Sequence, residues 1–74
     1  MIRKRDIIRH LNKLPQIADY DVYDTESYSG ERTMHFIRYT VYERDRAGAL
    51  TLNTTTYTVC AKTWAYAMIY LPKE

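Results

Sequence analysis

Apolar residues near the start of the chain recur at the 3.6-residue spacing of an α-helix. These positions are Ile7, Ile8, Leu11 and Leu14. The basic positions on the opposite side are Arg5, Arg9 and Lys13. Pro15 ends the pattern, because the residue before a proline disfavours the helical conformation. We therefore predict a first helix over residues 3–14, in which Asp6 can pair with Arg9 or His10 one turn later.

The middle of the chain is dense in Tyr, Thr, Val and Ile, which favour β-strands. Two breaks interrupt this composition, SGE at residues 29–31 and DRAG at residues 45–48, and each contains a glycine. Glycine supplies the positive φ that tight hairpins often need. We predict strands near residues 20–28, 33–44 and 49–61, joined by two hairpin turns.

The second strand carries apolar residues on both of its faces, which is typical of a central strand. Met34, Phe36 and Tyr42 lie on one face, and Ile37, Tyr39 and Val41 lie on the other. We expect helices to cover one face and aromatic rings to cover part of the other. In the third strand Leu50 and Leu52 are out of phase with Tyr57, Val59 and Ala61. A bulge or break near residues 53–55 would reconcile the two halves.

The segment WAYAMIYL, residues 64–71, fits either a strand or a helix by periodicity. Two observations favour the helix: alanine is a strong helix former, and Thr63 is a suitable N-cap. A helix turns Trp64 inward and leaves Tyr66 and Tyr70 outside, one turn apart, whereas a strand places all three rings on one face. The predicted fold class is α+β, a single compact domain over residues 1–74. Its three-stranded antiparallel sheet has the N- and C-terminal helices packed on one face, in the order α-β-β-β-α.

Composition narrows the class of protein. The chain of 74 residues is 46% hydrophobic and 14% aromatic, which is typical of a folded domain. Cys60 is the only cysteine, so we expect no internal disulfide and a buried, reduced thiol. The opening MIRKR is followed by DIIRHLNK and not by an apolar stretch, which argues against a signal peptide. The longest uncharged run, residues 63–72, is too short to span a bilayer, so we expect a cytoplasmic protein.

No combination of residues predicts catalysis. His10 and His35 are the only histidines, and neither forms a recognisable Ser-His-Asp or Cys-His pattern. The acidic residues Asp19, Asp21, Asp24 and Glu26 lack the glycine and the spacing of a calcium loop. We expect no enzymatic activity, no cofactor and no metal site.

Charge is segregated along the chain although the net charge is only +2. Residues 1–14 carry five basic residues against Asp6, a balance of +4, and residues 15–31 carry five acidic residues and no basic one, a balance of −5. One interpretation is internal: the acidic strand lies near the basic helix and the two fields partly cancel.

A second interpretation makes the acidic strand a recognition surface, because tyrosines supply anchoring area and carboxylates attract a basic partner. The predicted partner-binding residues are Asp19, Tyr20, Asp21, Tyr23, Asp24, Glu26 and Tyr28, with Tyr66 and Tyr70 as a second patch. The partner would be a host protein or a nucleoprotein complex with a basic groove that normally holds nucleic acid.

Two alternatives remain open. In the first, basic residues contact phosphates of a nucleic acid. These residues are Arg5, Arg9, Lys13, Arg38, Arg44 and Arg46. The element order resembles the double-stranded RNA-binding domain, which reads shape and phosphates, but only Lys62 stands where those domains carry a lysine cluster. In the second, the protein is a structural subunit whose exposed tyrosines form a homodimer, so both monomer and homodimer are possible.

In general character the chain resembles small proteins of phages and mobile elements, including anti-CRISPR proteins and phage inhibitors of host polymerases. The traits that carry this resemblance are shortness, absent catalytic residues, segregated charge and the strand-to-helix step TYTVCAKTWAYA at residues 56–67. The resemblance implies an inhibitor or adaptor that blocks a host nucleoprotein machine by protein–protein contact in the host cytoplasm. The resemblance assigns no functional residue of those proteins to a position in this chain.

Overall fold

The computed structural model of the chain describes residues 1–26 and 33–73, without the side chains of Thr25 and Glu26. The elements are α1 (Lys4–Lys13), β1 (Ile17–Glu26), β2 (Thr33–Arg44), β3 (Leu50–Ala61) and α2 (Trp64–Ile69). The strands form one antiparallel sheet in the order β1-β2-β3. The predicted α+β class, the α-β-β-β-α order and the central position of the second strand are confirmed.

Helix α1 is held at both ends by contacts that the periodicity alone does not specify. The backbone N–H of Arg3 donates to the Asp6 carboxylate at 2.8 Å. The expected pairing of Asp6 with Arg9 or His10 is therefore wrong, because a carboxylate in the first turn is favoured by the free N–H groups there. His10 instead donates from Nε2 to the carbonyl oxygen of Pro72 at 2.8 Å and ties α1 to the C-terminal segment.

The turn between β2 and β3 has the predicted position and the predicted glycine. Gly48 has a φ of +83°, a conformation that costs glycine little and other residues more. The Asp45 carboxylate accepts hydrogen bonds from the backbone N–H groups of Ala47 and Ala49 at 2.9 and 3.0 Å. The other predicted turn, at residues 29–31, lies outside the described residues.

Both outer strands depart from regular pairing near one end. Strand β1 begins at Ile17, earlier than predicted, and its register shifts between Ile17 and Asp19, which interrupts the alternation that marks a strand. In β3, Thr54 pairs with Tyr42 and the next pair is Leu50 with Arg44. Residues 51–53 thus oppose the single residue 43, an irregularity that overlaps the predicted bulge. It adds two residues to β3, an even number, so Leu50 lies on the face of Thr54 and stays out of phase with Tyr57. The expectation that a bulge reconciles the two phases is therefore wrong, and Leu50 and Leu52 are exposed.

The core lies between the two helices and one face of the sheet. Its buried residues are Ile7 and Leu11 of α1, Ala67 of α2 and Leu71 just beyond α2, with Val22, Ile37, Tyr39 and Ala61 from the strands. Trp64 and Met68 pack against this cluster and are half-buried. The Thr63 hydroxyl accepts from the Tyr66 N–H at 3.1 Å, which confirms the predicted N-cap and the helical reading of this segment. The fully buried Ala67 permits close approach of α2 to the sheet.

Candidate functional site

One face of the sheet is left uncovered, because both helices pack on the other. Side chains alternate between the faces of a strand, so the strand register defines the uncovered face. Three rows of paired residues cross it, and together we call them the open face. The rows are Tyr23–Phe36–Cys60, Asp21–Arg38–Thr58 and Asp19–Thr40–Thr56.

The first row of the open face is aromatic. The rings of Tyr23 and Phe36 are stacked, with their centroids 5.4 Å apart and their planes at 6°. Tyr23 is 40% exposed, and Phe36 is half-buried by its neighbours in the sheet. The pair presents accessible aromatic area, and it is the partial aromatic cover that the sequence predicts for this face.

Cys60, at the end of the aromatic row, is exposed. The expectation of a buried thiol is therefore wrong. Free cysteine is commonly buried, but the register pairs Cys60 with Phe36, on the face that carries no helix. Its neighbour Ala61 points to the covered face and is buried.

The second and third rows of the open face are charged or polar. A terminal nitrogen of Arg38 lies 3.8 Å from an Asp19 carboxylate oxygen, and both side chains are solvent-exposed. Asp21 stands directly across from Arg38 in the register. The hydroxyls of Thr40 and Thr56 lie 2.9 Å apart and share a hydrogen bond. Exposed ion pairs of this kind contribute little to stability. The carboxylates of Asp19 and Asp21 are both exposed to solvent.

The positions of the charged side chains bear on the interpretation that the acidic strand lies near the basic helix and their charges partly cancel. Within residues 1–26 and 33–73, the side-chain contacts of the β1 carboxylates join β1 to β2, through Asp19 with Arg38 and Asp24 with His35. The basic residues Arg5, Arg9 and Lys13 of α1 are exposed. Strand β2, and not α1, therefore supplies the side-chain partners of these two carboxylates.

Two of the predicted partner-binding residues lie on the covered side of the sheet. Tyr20 pairs with Tyr39 and packs against the core. Asp24 accepts a hydrogen bond from Nδ1 of His35, whose ring lies 4.2 Å from that of Trp64 between centroids. Tyr20 and Asp24 therefore face away from Asp19, Asp21 and Tyr23, because neighbouring residues of a strand face opposite ways.

The remaining predicted partner-binding residues fall elsewhere. Tyr66 and Tyr70 are 62% and 67% exposed, as expected for the outer side of α2. They line an open groove of about 340 Å³ together with Cys60, Ala61 and Lys62, at the β3 side of the molecule. This patch is thus separated from β1 by the width of the sheet. Tyr28 and the side chain of Glu26 lie outside the described residues.

The six residues of the nucleic-acid alternative do not form one surface. Arg5, Arg9 and Lys13 lie on α1, which covers the face opposite to Arg38. Arg44 and Arg46 are exposed at the β2–β3 hairpin, where Arg44 donates to the Gly48 carbonyl at 2.6 Å. Among these six described residues, Arg5, Arg9 and Lys13 are spaced four apart along α1 and form one basic stripe.

The covered face holds one tyrosine with a perturbed acidity. Tyr39 is buried, and its ring stacks on that of Tyr57 with the centroids 5.4 Å apart. Burial, and then the neighbouring Tyr57, raise the pKa of Tyr39 above its ordinary value of 10.0. The cause is the unfavourable transfer of a phenolate out of water.

Sequence reasoning omitted Phe36, Arg38 and Cys60 from the candidate protein-binding surface. Phe36 pairs with Tyr23, Arg38 pairs with Asp21, and Cys60 pairs with Phe36. The signal that identifies them is the register across the two hairpins, combined with alternation along each strand. Composition along a single strand does not contain this information.

Comparison with protein-family models, with curated proteins and with solved structures found no match to this chain. Among the residues that the structure describes, no three side chains of His, Cys, Asp or Glu are grouped so that they could hold a metal ion. No helix in that part of the chain has the length and apolar character needed to cross a membrane. What the open face does must therefore follow from its own chemistry.

Proposed function

We propose that this is a non-enzymatic binding protein that acts as an inhibitor or adaptor through protein–protein contact at its open face. The observation that carries the proposal is the stacked Tyr23–Phe36 pair beside the carboxylates of Asp19 and Asp21, on a sheet face that neither helix covers. Aromatic rings supply most of the binding energy in many interfaces. Carboxylates around them select partners of positive potential and accelerate association.

The chemistry of the open face indicates a basic protein surface as its partner. Proteins that hold nucleic acid carry such surfaces, because they neutralise phosphates with lysine and arginine. The resemblance to phage and mobile-element inhibitors supports the same class of partner. The proposed target is thus a host nucleoprotein machine, for example a CRISPR effector or a polymerase, which the protein blocks by stoichiometric binding in the host cytoplasm.

The first test removes the two carboxylates without changing side-chain size. In affinity capture from the native host, we expect Asp19→Asn/Asp21→Asn to weaken retention of the partner about tenfold, as estimated for two charges at an interface. The control Asn12→Lys/Ala47→Lys makes the same change of net charge at exposed positions outside the open face. We expect this control to retain the partner at the level of the natural sequence.

The second arm of the test concerns the aromatic anchor. Tyr23→Ala removes the exposed member of the stacked pair, and we expect a further loss of retention with the fold intact by circular dichroism. The control is Ile69→Ala, which removes an exposed apolar side chain of α2. Equal retention by the natural sequence and by both open-face variants contradicts the proposal.

The basic patch on α1 defines the competing experiment. If nucleic acid is the ligand, duplex DNA or RNA shifts in a gel at low salt, and the affinity falls steeply as salt rises. Arg5→Ala/Arg9→Ala then reduces the salt dependence. This result, together with unchanged behaviour of Asp19→Asn/Asp21→Asn, replaces the protein-binding proposal with the nucleic-acid alternative.

A further inference from the structure

The outer edge of β3 has no strand beside it among the described residues, because the sheet order is β1-β2-β3. Residues 54–61 of this strand pair with residues 35–42 of β2 without interruption. At about 3.4 Å per residue this regular segment is about 27 Å long. In an antiparallel ladder every second residue directs its N–H and C=O away from the paired neighbour, so roughly four residues offer both groups outward.

This edge lacks the features that usually prevent edge-to-edge pairing. Natural edges are protected by charged side chains, prolines or bulges. Strand β3 (Leu50–Ala61) contains no charged residue and no proline. Its irregular pairing is confined to residues 50–54, at the end nearest the hairpin, so the segment 54–61 stays regular.

The opposite edge of the sheet is protected. Strand β1 carries four acidic residues, Asp19, Asp21, Asp24 and Glu26, and its register shifts between Ile17 and Asp19. Two copies of β1 placed side by side would bring like charges together, which is destabilising across strands. Protection at one edge and its absence at the other single out β3 as the edge that is available for pairing.

We propose that β3 pairs antiparallel with β3 of a second copy of this chain, which makes a continuous sheet of six strands, three from each copy. A second copy fits because a two-fold contact places the same surface on both sides. An uncharged segment rich in Thr, Tyr and Val meets itself without charge repulsion and with favourable strand propensity.

Exposed aromatic area beside the strand supports the same contact. Tyr57 and Tyr70 are 49% and 67% exposed, and both line an open groove of about 350 Å³ along β3. Pairing of two β3 strands brings the two grooves to one seam on the helix side. The two-fold axis runs perpendicular to the sheet, so both open faces point the same way. The inference does not depend on the proposed function, although the dimer would present the open face twice.

The test measures mass and amide protection of the natural chain together. Between about 1 μM and about 200 μM, a range that resolves micromolar dissociation constants, we expect the mass to rise from 8.8 kDa toward twice that value. Hydrogen exchange across the same range should show protection that increases with concentration in residues 54–61. Amides of β1 should show no such change.

A charge-matched pair of variants locates the contact. Thr56→Glu/Thr58→Glu places carboxylates at exposed positions of the regular segment, and we expect the dissociation constant to rise at least about tenfold, since like charges across strands repel. Asn12→Glu/Ala47→Glu makes the same change of net charge away from that segment, and it should leave dimerisation unchanged. Asp19→Asn/Asp21→Asn should also leave the mass unchanged, which separates this test from that of the open face.

Three results overturn the proposal. A monomeric mass at every concentration excludes pairing with a second copy. A dimer without concentration-dependent protection of residues 54–61 places the contact on another surface. Equal weakening by the two glutamate pairs indicates a general charge effect and not a contact at the β3 edge. If the β3 variant does not fold, the exchange experiment on the natural chain decides the question.

Discussion

The two faces of the sheet are built from the same strands but are stabilised differently. On the covered face, Val22, Ile37 and Tyr39 are buried against both helices. On the open face, Phe36 and Arg38 are half-buried, and the cover comes only from their neighbours within the sheet. Strand β2 alternates between these two environments at every residue, so one strand contributes to both the core and the candidate binding surface.

The difference shows that apolar character along a strand does not identify the packed face. Phe36 is as apolar as Ile37, yet Ile37 is fully buried while the Phe36 ring stacks on the exposed Tyr23. Burial against a second layer removes a side chain from water on all sides, whereas cross-strand contact shields only part of it. Stability therefore depends mainly on the covered face, and the open face stays exposed to solvent.

The largest expected effect compares neighbouring residues of β2. Ile37→Ala should lower the free energy of unfolding by about 4 kcal/mol, through lost burial and a cavity between the sheet and the helices. Phe36→Ala should cost about 1.5 kcal/mol, mainly from the lost ring stacking. Urea unfolding at one fixed protein concentration measures both values, because association changes the apparent stability.

A smaller substitution at position 37 allows the same comparison with position 36. If Ile37→Ala leaves too little stability for the chain to fold, Ile37→Val is expected to cost about 1 kcal/mol. Equal losses for the changes at positions 36 and 37 would contradict the distinction between the two faces.

A smaller expected effect concerns the acidity of Tyr39, which lies on the covered face. The pKa of Tyr39 is raised in the folded state above the unfolded value of 10.0, so the folded chain holds this proton more tightly. The corresponding stability is fully present below about pH 10 and is lost as the pH rises through the folded pKa. Between about pH 9 and about pH 11, we expect the natural chain to lose more stability than Tyr39→Phe.

The control for this alkaline effect is Tyr66→Phe, at an exposed position of α2. It should follow the natural chain across the same pH range. If the free energy of unfolding falls equally with pH in the natural chain and in Tyr39→Phe, burial of the Tyr39 phenol is not coupled to stability.

The smallest expected effect concerns the reactivity of a thiol and involves no change in the free energy of unfolding. In the folded chain at low concentration, we expect the Cys60 thiol to react with a thiol reagent at a rate within about tenfold of the unfolded rate, because exposed groups need no opening of the structure. In the variant Cys60→Ser/Ala61→Cys, the thiol moves one residue, onto the covered face, and should react far more slowly. Similar rates for the two thiols would mean that Cys60 and Ala61 do not face opposite sides of the sheet.

Much of the secondary structure follows from local patterns. The 3.6-residue periodicity locates α1 to within one residue at each end, and the bounds of β2 agree with the prediction. The glycine at position 48 and the Thr63 cap identify the turn and the start of α2. In each case the deciding interaction lies within a few residues of the chain, so its signature is present in the sequence.

The candidate site could be predicted only in part, because its residues come together through pairing between strands. Asp19, Asp21 and Tyr23 alternate along one strand, and this places them on one face wherever that strand lies. The same alternation places Tyr20 and Asp24 on the opposite face. The predicted surface nevertheless grouped neighbouring acidic and tyrosine residues without regard to the two-residue period of a strand. Recognising Arg38 as their neighbour requires the register between β1 and β2.

The sequence by itself determined the elements, their order and the two sets of residues that each strand presents, since these depend on local conformational preference and on the periods of helix and strand. The tertiary structure decided which set is covered. Ile7 and Leu11 of α1, with Ala67 of α2 and Leu71 just beyond it, pack on the face that holds Ile37, and this leaves Cys60 and the Tyr23–Phe36 pair on the other side. The physical reason is that alternation defines two faces without distinguishing them, and only packing of the helices removes one of them from water.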